Sequence, residues 1–272
     1  MDFDVRDCNE YAMRALTEAL YEHLFVVIRG QKLNEKNYAS FGHHWGKPIP
    51  IIVDHVQMVG YPAMMCIGNT LEKDRDDAVR LGSTAWHTDQ SYESTPASAT
   101  MLYAIKVPRF AGETEFCDMR AAYRHLDDVT KNQIDGLQVL HQYGRGVQSG
   151  EHGPVPTISQ EQDDCLAVVY QPLVMKHHVV GSKALYGLGN THFGIEGMTE
   201  SDGKKLLATL RAHCLQDCYC YSYRYKVGDV AIWDTFQTMH RAQPIRVAEG
   251  KEDGRLLWRI SVRGKPQIYG LS

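Results

Sequence analysis

The sequence predicts a mainly β chain with flanking helices, closed as a sandwich or barrel rather than laid out as a parallel α/β sheet. Two observations carry this. Short apolar or alternating runs recur along the chain, punctuated by Gly, Pro, Asn and Asp. Helical spacing is confined to a few segments, and these do not alternate with the strands as βαβ units would.

The elements follow in order. Residues 11–23 have helical apolar spacing and lead into 24–28, an apolar run expected as a buried strand. Asn34 is positioned to cap a second helix ending at His43 or His44. Residues 63–67 read as a strand. The stretch 71–83 opens with Leu71-Glu72-Lys73-Asp74-Arg75-Asp76-Asp77, too polar for a core, and is expected as a loop. Residues 98–107 and 114–117 read as strands, and 121–126 and 129–137 as helices. Residues 147–164 are rich in Gly, Pro, Ser, Glu and Gln and long for a loop, so a lid or a disordered segment is expected there. Strand character returns at 166–170 and 183–186. Thr199-Glu200-Ser201-Asp202 opens a helix reaching about residue 215, with Leu206, Leu207, Leu210 and Cys214 on one stripe. Residues 218–225 alternate aromatic and polar side chains, and Val227-Gly228-Asp229 turns into the run 230–233.

Composition narrows the class. A chain of 272 residues, 43% hydrophobic, has material for one large core, and a single domain over 1–272 is expected. No apolar stretch is long enough to span a bilayer. Met1-Asp2-Phe3-Asp4-Val5-Arg6-Asp7 lacks the basic and apolar regions of a signal peptide, so a cytoplasmic protein is expected. The net charge of −4 and the scattered basic residues give no reason to expect nucleic acid. The seven cysteines are odd in number, and Cys214, Cys218 and Cys220 are not spaced C-x-x-C. Free thiols in a reducing compartment are expected.

The chemistry concentrates in Trp86-His87-Thr88-Asp89. In an extended segment His87 and Asp89 share a face. A second imidazole arrives in Trp233-Asp234-Thr235-Phe236-Gln237-Thr238-Met239-His240. Two histidines and one carboxylate with open positions beside them form the facial triad of non-haem Fe(II) oxygenases. An isolated H-x-D pair reads equally as a surface or capping pair, and His240 alone as a satisfied core histidine. Farther on, Arg255-Leu256-Leu257-Trp258-Arg259 reads as a strand with both arginines on one face. Two guanidinium groups on one face are costly to bury unless anions meet them. The other reading is a solvated edge strand.

These segments, with Phe25-Val26-Val27-Ile28-Arg29-Gly30-Gln31 and Gly112-Glu113-Thr114, resemble in order the TauD/TfdA family of Fe(II)/2-oxoglutarate-dependent dioxygenases. The resemblance runs from about Ala15 to about Gly264. Residues 112–123 are most similar to the aryloxyacetate (2,4-D) branch. It implies a double-stranded β-helix, a cupin-like jelly roll flanked by helices. It implies His87, Asp89 and His240 as ligands of Fe(II), Arg255 and Thr114 at the distal carboxylate of 2-oxoglutarate, and O2 as the further co-substrate. The gap between His240 and Arg255 is longer than the family's usual one, which leaves Arg259 as the alternative partner for that carboxylate.

Arg259 matches the position that takes the substrate's acid group. Tyr92, His177, His192 and Ser83 are the further substrate-side candidates; Tyr92 reads equally as core, and His178 competes with His177 in the alignment. The implied reaction decarboxylates 2-oxoglutarate to succinate and CO2 while oxidising a small anionic substrate next to a heteroatom. An aryloxyalkanoate would fall apart to a phenol and an oxo acid. The alternatives are the same chemistry on an alkylsulfonate, a sulfate ester or another small carboxylate, and, from a different class, a non-catalytic jelly-roll binding protein. Aliphatic halogenation is not expected, because Asp89 fills the position a halide would need. A homo-oligomer, dimer or higher, is expected.

Overall fold

The computed structural model describes residues 3–71, 75, 77–145, 159 and 166–270. Its largest sheet is antiparallel and runs in the spatial order Phe25–Ile28, Val230–Asp234, Ala99–Lys106, Leu256–Arg263, Tyr61–Gly68 and Gln57–Met58, with Lys47–Pro48 also paired onto Leu256–Arg263. Apart from the hairpin of Gln57–Met58 with Tyr61–Gly68, neighbours in space are remote in sequence, as in a jelly roll rather than a meander. A second antiparallel sheet holds Cys220–Tyr223, Thr114–Asp118 and Thr238–Ala242. A third holds His192–Ile195, Gln138–His141 and Val169–Pro172.

Strand alternation sorts the large sheet's side chains into two layers. Met101, Tyr103, Val230, Ile232, Ile260 and Val262 pack with Leu20, Tyr38, Phe41 and Trp45 of two N-terminal helices. Leu102, Ala104, Ala231, Trp233 and Leu257 point the other way and meet Phe116 and Tyr223 of the second sheet. The outer side of the smaller sheets, through Cys117, Val139, Ile195 and Met239, packs on Leu207, Leu210 and Cys214 of a third helix. Two β layers thus enclose an inner space, with helices covering both outer faces.

Local signals explain the helices. Glu10–His23 starts where the Asn9 side chain accepts the Ala12 N–H, and it stops at Leu24, which is left-handed with φ 65°. Glu35–Trp45 is capped by Asn34 and buries Tyr38, Phe41 and Trp45 at helical spacing. It ends at Trp45, just past the expected end. Glu200–Cys214 is capped by Thr199 and buries Leu207, Leu210 and Cys214, with Leu206 only partly covered. None of the helices among the described residues is long and apolar enough to cross a membrane.

Six strands among the described residues escape the sequence patterns: Lys47–Pro48, Gln57–Met58, Gln138–His141, Val174–Lys176, His192–Ile195 and Thr238–Ala242. They are short and carry His, Gln, Gly and Lys in place of β-branched runs, so pairing alone defines them. Within the stretch expected as a loop, Asp77–Leu81 forms a short helix, held where Arg80 Nε donates to Ile245 O at 3.1 Å. Residues 72–74 and 76, and the expected lid 147–164 apart from Ser159, lie outside the described residues.

Candidate functional site

Three side chains meet beside Phe116 and Trp233. His87 and His240 form an antiparallel bridge in which each N–H donates to the other's carbonyl at 2.9 Å. Residues paired this way project to one face, and the two imidazole centroids are 4.2 Å apart. Asp89 returns to that face: its Oδ1 is 3.9 Å from His87 Nε2 and its Oδ2 is 3.6 Å from His240 Nε2. One candidate ligand atom from each residue lies within 4.8 Å of the others.

The protonation states suit a cation. His87 Nδ1 donates to Ala85 O at 2.8 Å, which leaves the lone pair on Nε2. Burial lowers His87 and pushes His240 down to about 3, so both rings are neutral at pH 7. Burial alone would raise Asp89, but the Arg259 guanidinium, the first of the charges opposing it, helps hold the carboxyl below the usual carboxylate range. Asp89 Oδ1 accepts from Arg259 Nη2 at 2.6 Å, while Oδ2 is buried without a hydrogen-bond partner among the described residues. Two neutral imidazoles and a carboxylate with one orphaned oxygen are a donor set that a divalent metal completes.

Two cavities flank this cluster. The smaller is lined by Ser83, Thr114, Leu102, Trp233, Arg255 and Arg259, and touches His87 and His240. Arg255 is only 3% exposed, and among the described residues no ion pair compensates its guanidinium. Its Nε donates to Gly112 O at 3.2 Å, and its ring neighbour is Tyr225, 5.9 Å away. The Tyr225 hydroxyl donates to Thr114 Oγ1 at 3.0 Å, which turns the threonine's own proton away from Tyr225. Gly112 is required where it stands: its φ is +86°, and a Cβ there would lie 2.8 Å from Pro108 and 3.3 Å from Arg255 Cδ. Asn69 fixes the start of the arginine-bearing strand, accepting from Arg255 N at 2.7 Å and donating to the carbonyls of Arg246 and Asp253.

The larger cavity lies on the other side of Asp89. Its wall is Ile51, Ile52, Val53, Val56 and Met65 with Tyr92 and Tyr143, and its polar atoms come from Gln90, Asn190, Thr191 and Arg259. Ile51, Val53 and Val56 form an apolar cluster of their own with Ile52, Met65 and Tyr143. Tyr92 and Tyr143 meet edge to face at 5.1 Å. Arg259 borders both cavities. Its Nη2 donates to Asp89 Oδ1 and lies 3.5 Å from Gln90 Oε1, and among the described residues its Nη1 has a contact only with Met65 Sδ, at 3.9 Å.

The structure therefore brings together His87, Asp89, His240, Thr114, Arg255, Arg259 and Tyr92. Of the other substrate-side expectations, Ser83 lines the smaller cavity and the two histidines line neither. Ser83 sits there with Thr114 and Arg255 because its carbonyl accepts from Ala242 N beside the histidine strand. His177 is 2% exposed between Tyr21 and Phe236, with Nε2 3.3 Å from Asp234 Oδ2, and lines neither cavity. His192 follows the lining residues Asn190 and Thr191 but turns its Nδ1 onto Gly189 O. The sequence reading missed Tyr225, Asn69, Met65, Tyr143 and residues 51–56. Tyr225 sat inside a noted alternating run and Met65 inside the expected strand 63–67, but the others carry no motif; only long-range pairing assembles them.

Residues 2–261 match the family described as Taurine catabolism dioxygenase TauD, TfdA family. The chain is similar to the alpha-ketoglutarate-dependent 2,4-dichlorophenoxyacetate dioxygenase of Cupriavidus pinatubonensis, 28% identical over an alignment of 263 residues, gaps included, that covers 92% of this chain and 90% of that protein. It is also similar to the (S)-phenoxypropionate/alpha-ketoglutarate-dioxygenase of Sphingobium herbicidovorans, 27% identical over an alignment of 278 residues, gaps included, that covers 96% of this chain and 89% of that one. A crystal structure of AAD-2 in complex with Mn(II) and N-oxalylglycine matches with a TM-score of 0.78 and 28% identity, covering 97% of this chain and 92% of that chain.

Proposed function

Because the chain belongs to the TauD/TfdA family of 2-oxoglutarate-dependent dioxygenases, we propose that its two cavities serve one reaction: Fe(II)- and O2-dependent oxidation of a small aryloxyalkanoate. His87, Asp89 and His240 would hold the metal. Bound there, Fe(II) supplies the oxidant made from O2 as 2-oxoglutarate is decarboxylated to succinate and CO2. The protein's own share is positioning and charge.

Arg255 pairs with the distal carboxylate of 2-oxoglutarate in the smaller cavity, and the Thr114 hydroxyl donates to the same group. The burial of Arg255 with no ion pair among the described residues supports this, since a desolvated guanidinium needs an anion. On the other side Arg259 offers Nη1 to the substrate's acid group. The carbon next to that group is then held beside the metal ligands, and the remainder of the substrate extends along residues 51–56 toward Tyr92 and Tyr143. That wall is apolar and aromatic, which favours an aryl group over a short sulfonate chain. Hydroxylation of the carbon between ether oxygen and acid gives a hemiacetal, which separates into a phenol and an oxo acid.

Arg259 between an aromatic wall and Asp89 is the observation that carries the reading. A panel of aryloxyalkanoates, alkylsulfonates, alkyl sulfate esters and plain carboxylates, scored by succinate formation, tests it. Aryloxyalkanoates should give the highest kcat/KM. Turnover confined to sulfonates or sulfate esters would overturn the substrate class while leaving the site chemistry.

A further inference from the structure

His240 is placed without help at its second nitrogen: its Nδ1 is buried and has no hydrogen-bond partner among the described residues. Metal-bound histidines are ordinarily steered by such a bond. Here the ring must be held by backbone register and by packing against His87 and Trp233. The register of Thr238–Ala242 is set one turn earlier, at Asp234, and that turn ends in a buried polar knot.

Asp234 is fully buried. Its Oδ1 accepts from Phe236 N at 2.9 Å, its Oδ2 accepts from Gln237 Nε2 at 2.6 Å, and its backbone carbonyl accepts from Thr238 Oγ1 at 2.7 Å. Its own N–H donates to Leu24 O at 3.0 Å. His177 faces it from the segment between Val174–Lys176 and Lys183–Leu185. The N–H groups of Val179 and Val180 both donate to His177 Nδ1 at 3.2 Å, so the ring proton sits on Nε2, 3.3 Å from Asp234 Oδ2. A second tie runs beside it: Ser182 Oγ donates to Gln237 Oε1 at 2.6 Å. Burial raises Asp234 and lowers His177, so at pH 7 the pair carries no imidazolium charge.

We propose that His177 is a positioning residue for the metal centre. With Ser182, it locks the Asp234–Thr238 turn and thereby fixes His240 at ligand distance from His87 and Asp89. It touches neither cavity and acts only through the strand that follows the turn. One ring nitrogen of His177 is fixed by its own loop, through Val179 and Val180, and this aims the other at the carboxylate of the turn; a histidine that served only packing would need no such aim. The inference rests on the metal-binding reading of the three ligands.

The test measures Mn(II) affinity of the purified full chain, from the paramagnetic resonance signal of free Mn(II), alongside thermal midpoints. Wild-type protein should bind Mn(II), and Asp89→Ala should not. If this first pair fails, the metal-site reading fails and the inference with it. Given that pair, His177→Phe keeps the packing against Tyr21 and Phe236 but loses the donor, and should weaken Mn(II) binding by about 10- to 100-fold. His177→Gln restores a donor and should recover part of the loss. Ser182→Ala, a milder change that keeps the fold, should weaken binding by a smaller factor and decides the matter if His177→Phe does not fold. Leu207→Ala, in the helix-side cluster, should lower the midpoint without changing Mn(II) affinity. Wild-type Mn(II) affinity in both His177→Phe and Ser182→Ala, or an equal loss in Leu207→Ala, would overturn the proposal.

Discussion

Arg255→Gln is the most informative single substitution. Arg255 is 3% exposed and has no ion pair among the described residues, so in the free protein its charge is desolvated and offset only in part, by the more distant Glu113. Its partner in the proposed reaction is the distal carboxylate of 2-oxoglutarate. Truncating one side of a buried, hydrogen-bonded charge pair costs about 2–5 kcal/mol. At 1.4 kcal/mol per tenfold, the KM for 2-oxoglutarate should rise by roughly 30-fold to several thousand-fold. A second consequence separates this from general damage. Removing an incompletely compensated buried charge should not lower the melting midpoint of the ligand-free protein. Wild-type protein, loaded with Mn(II) and given 2-oxoglutarate at a hundredfold excess over Kd, should gain about 2.7 kcal/mol of stability. Arg255→Gln at the same concentration should gain no more than about 0.9 kcal/mol. Initial-rate kinetics and thermal unfolding with and without 2-oxoglutarate read both effects. A normal KM in Arg255→Gln with a raised KM in Arg259→Gln would refute the reasoning and exchange the roles of the two arginines.

Asp89→Ala should abolish metal-dependent turnover, because it removes the only carboxylate ligand and leaves two neutral imidazoles; near-normal Fe(II)-dependent oxidation by this variant would contradict the ligand set. An aryloxyalkanoic acid should far outperform its methyl ester, since Arg259 would be desolvated against a neutral group; succinate yields compared at equal concentration read this, and equal turnover would count against the anchor. Burial pushes His141 down to about 3 from its ordinary 6.5. As pH falls from 6.5 toward 3 the unfolded chain therefore takes up a proton the fold excludes, and stability drops by up to about 1.4 kcal/mol per pH unit from this group. Urea midpoints across that range should fall less steeply for His141→Asn than for wild type, and parallel profiles would exclude His141 as the cause.

How much was legible in the sequence follows from how far apart the relevant signals lie. His87 and Asp89 are two residues apart on an extended segment, so their shared face is a local fact. Arg255 and Arg259 likewise share a face of one strand, and the alternation that sends Trp258 and Ile260 to the helix side was visible in the run itself. Helix starts at Asn34 and Thr199 were legible because capping is decided by one side chain and the next N–H groups. The strands Gln138–His141 and His192–Ile195 were not, because each is defined by a partner remote in sequence. His177 shows the limit most plainly. Its neighbours in sequence mark a histidine near the substrate segment, yet its ring is claimed by Asp234, a contact that only the folded chain creates. The wall at residues 51–56 escaped for the same reason: its apolar side chains look like core until the cavity beside Asp89 is known.

The central claim is that one metal, held by His87, Asp89 and His240, binds 2-oxoglutarate on the side of Arg255. Anaerobic addition of Fe(II) and 2-oxoglutarate to the protein tests it most directly, by the visible absorption of an Fe(II)–2-oxo acid chelate. Wild-type protein should develop the band only when both are present, Asp89→Ala should not develop it, and Arg255→Gln should require far more 2-oxoglutarate. No band from wild-type protein at saturating Fe(II) and 2-oxoglutarate, or an unchanged band in Asp89→Ala, would contradict the account.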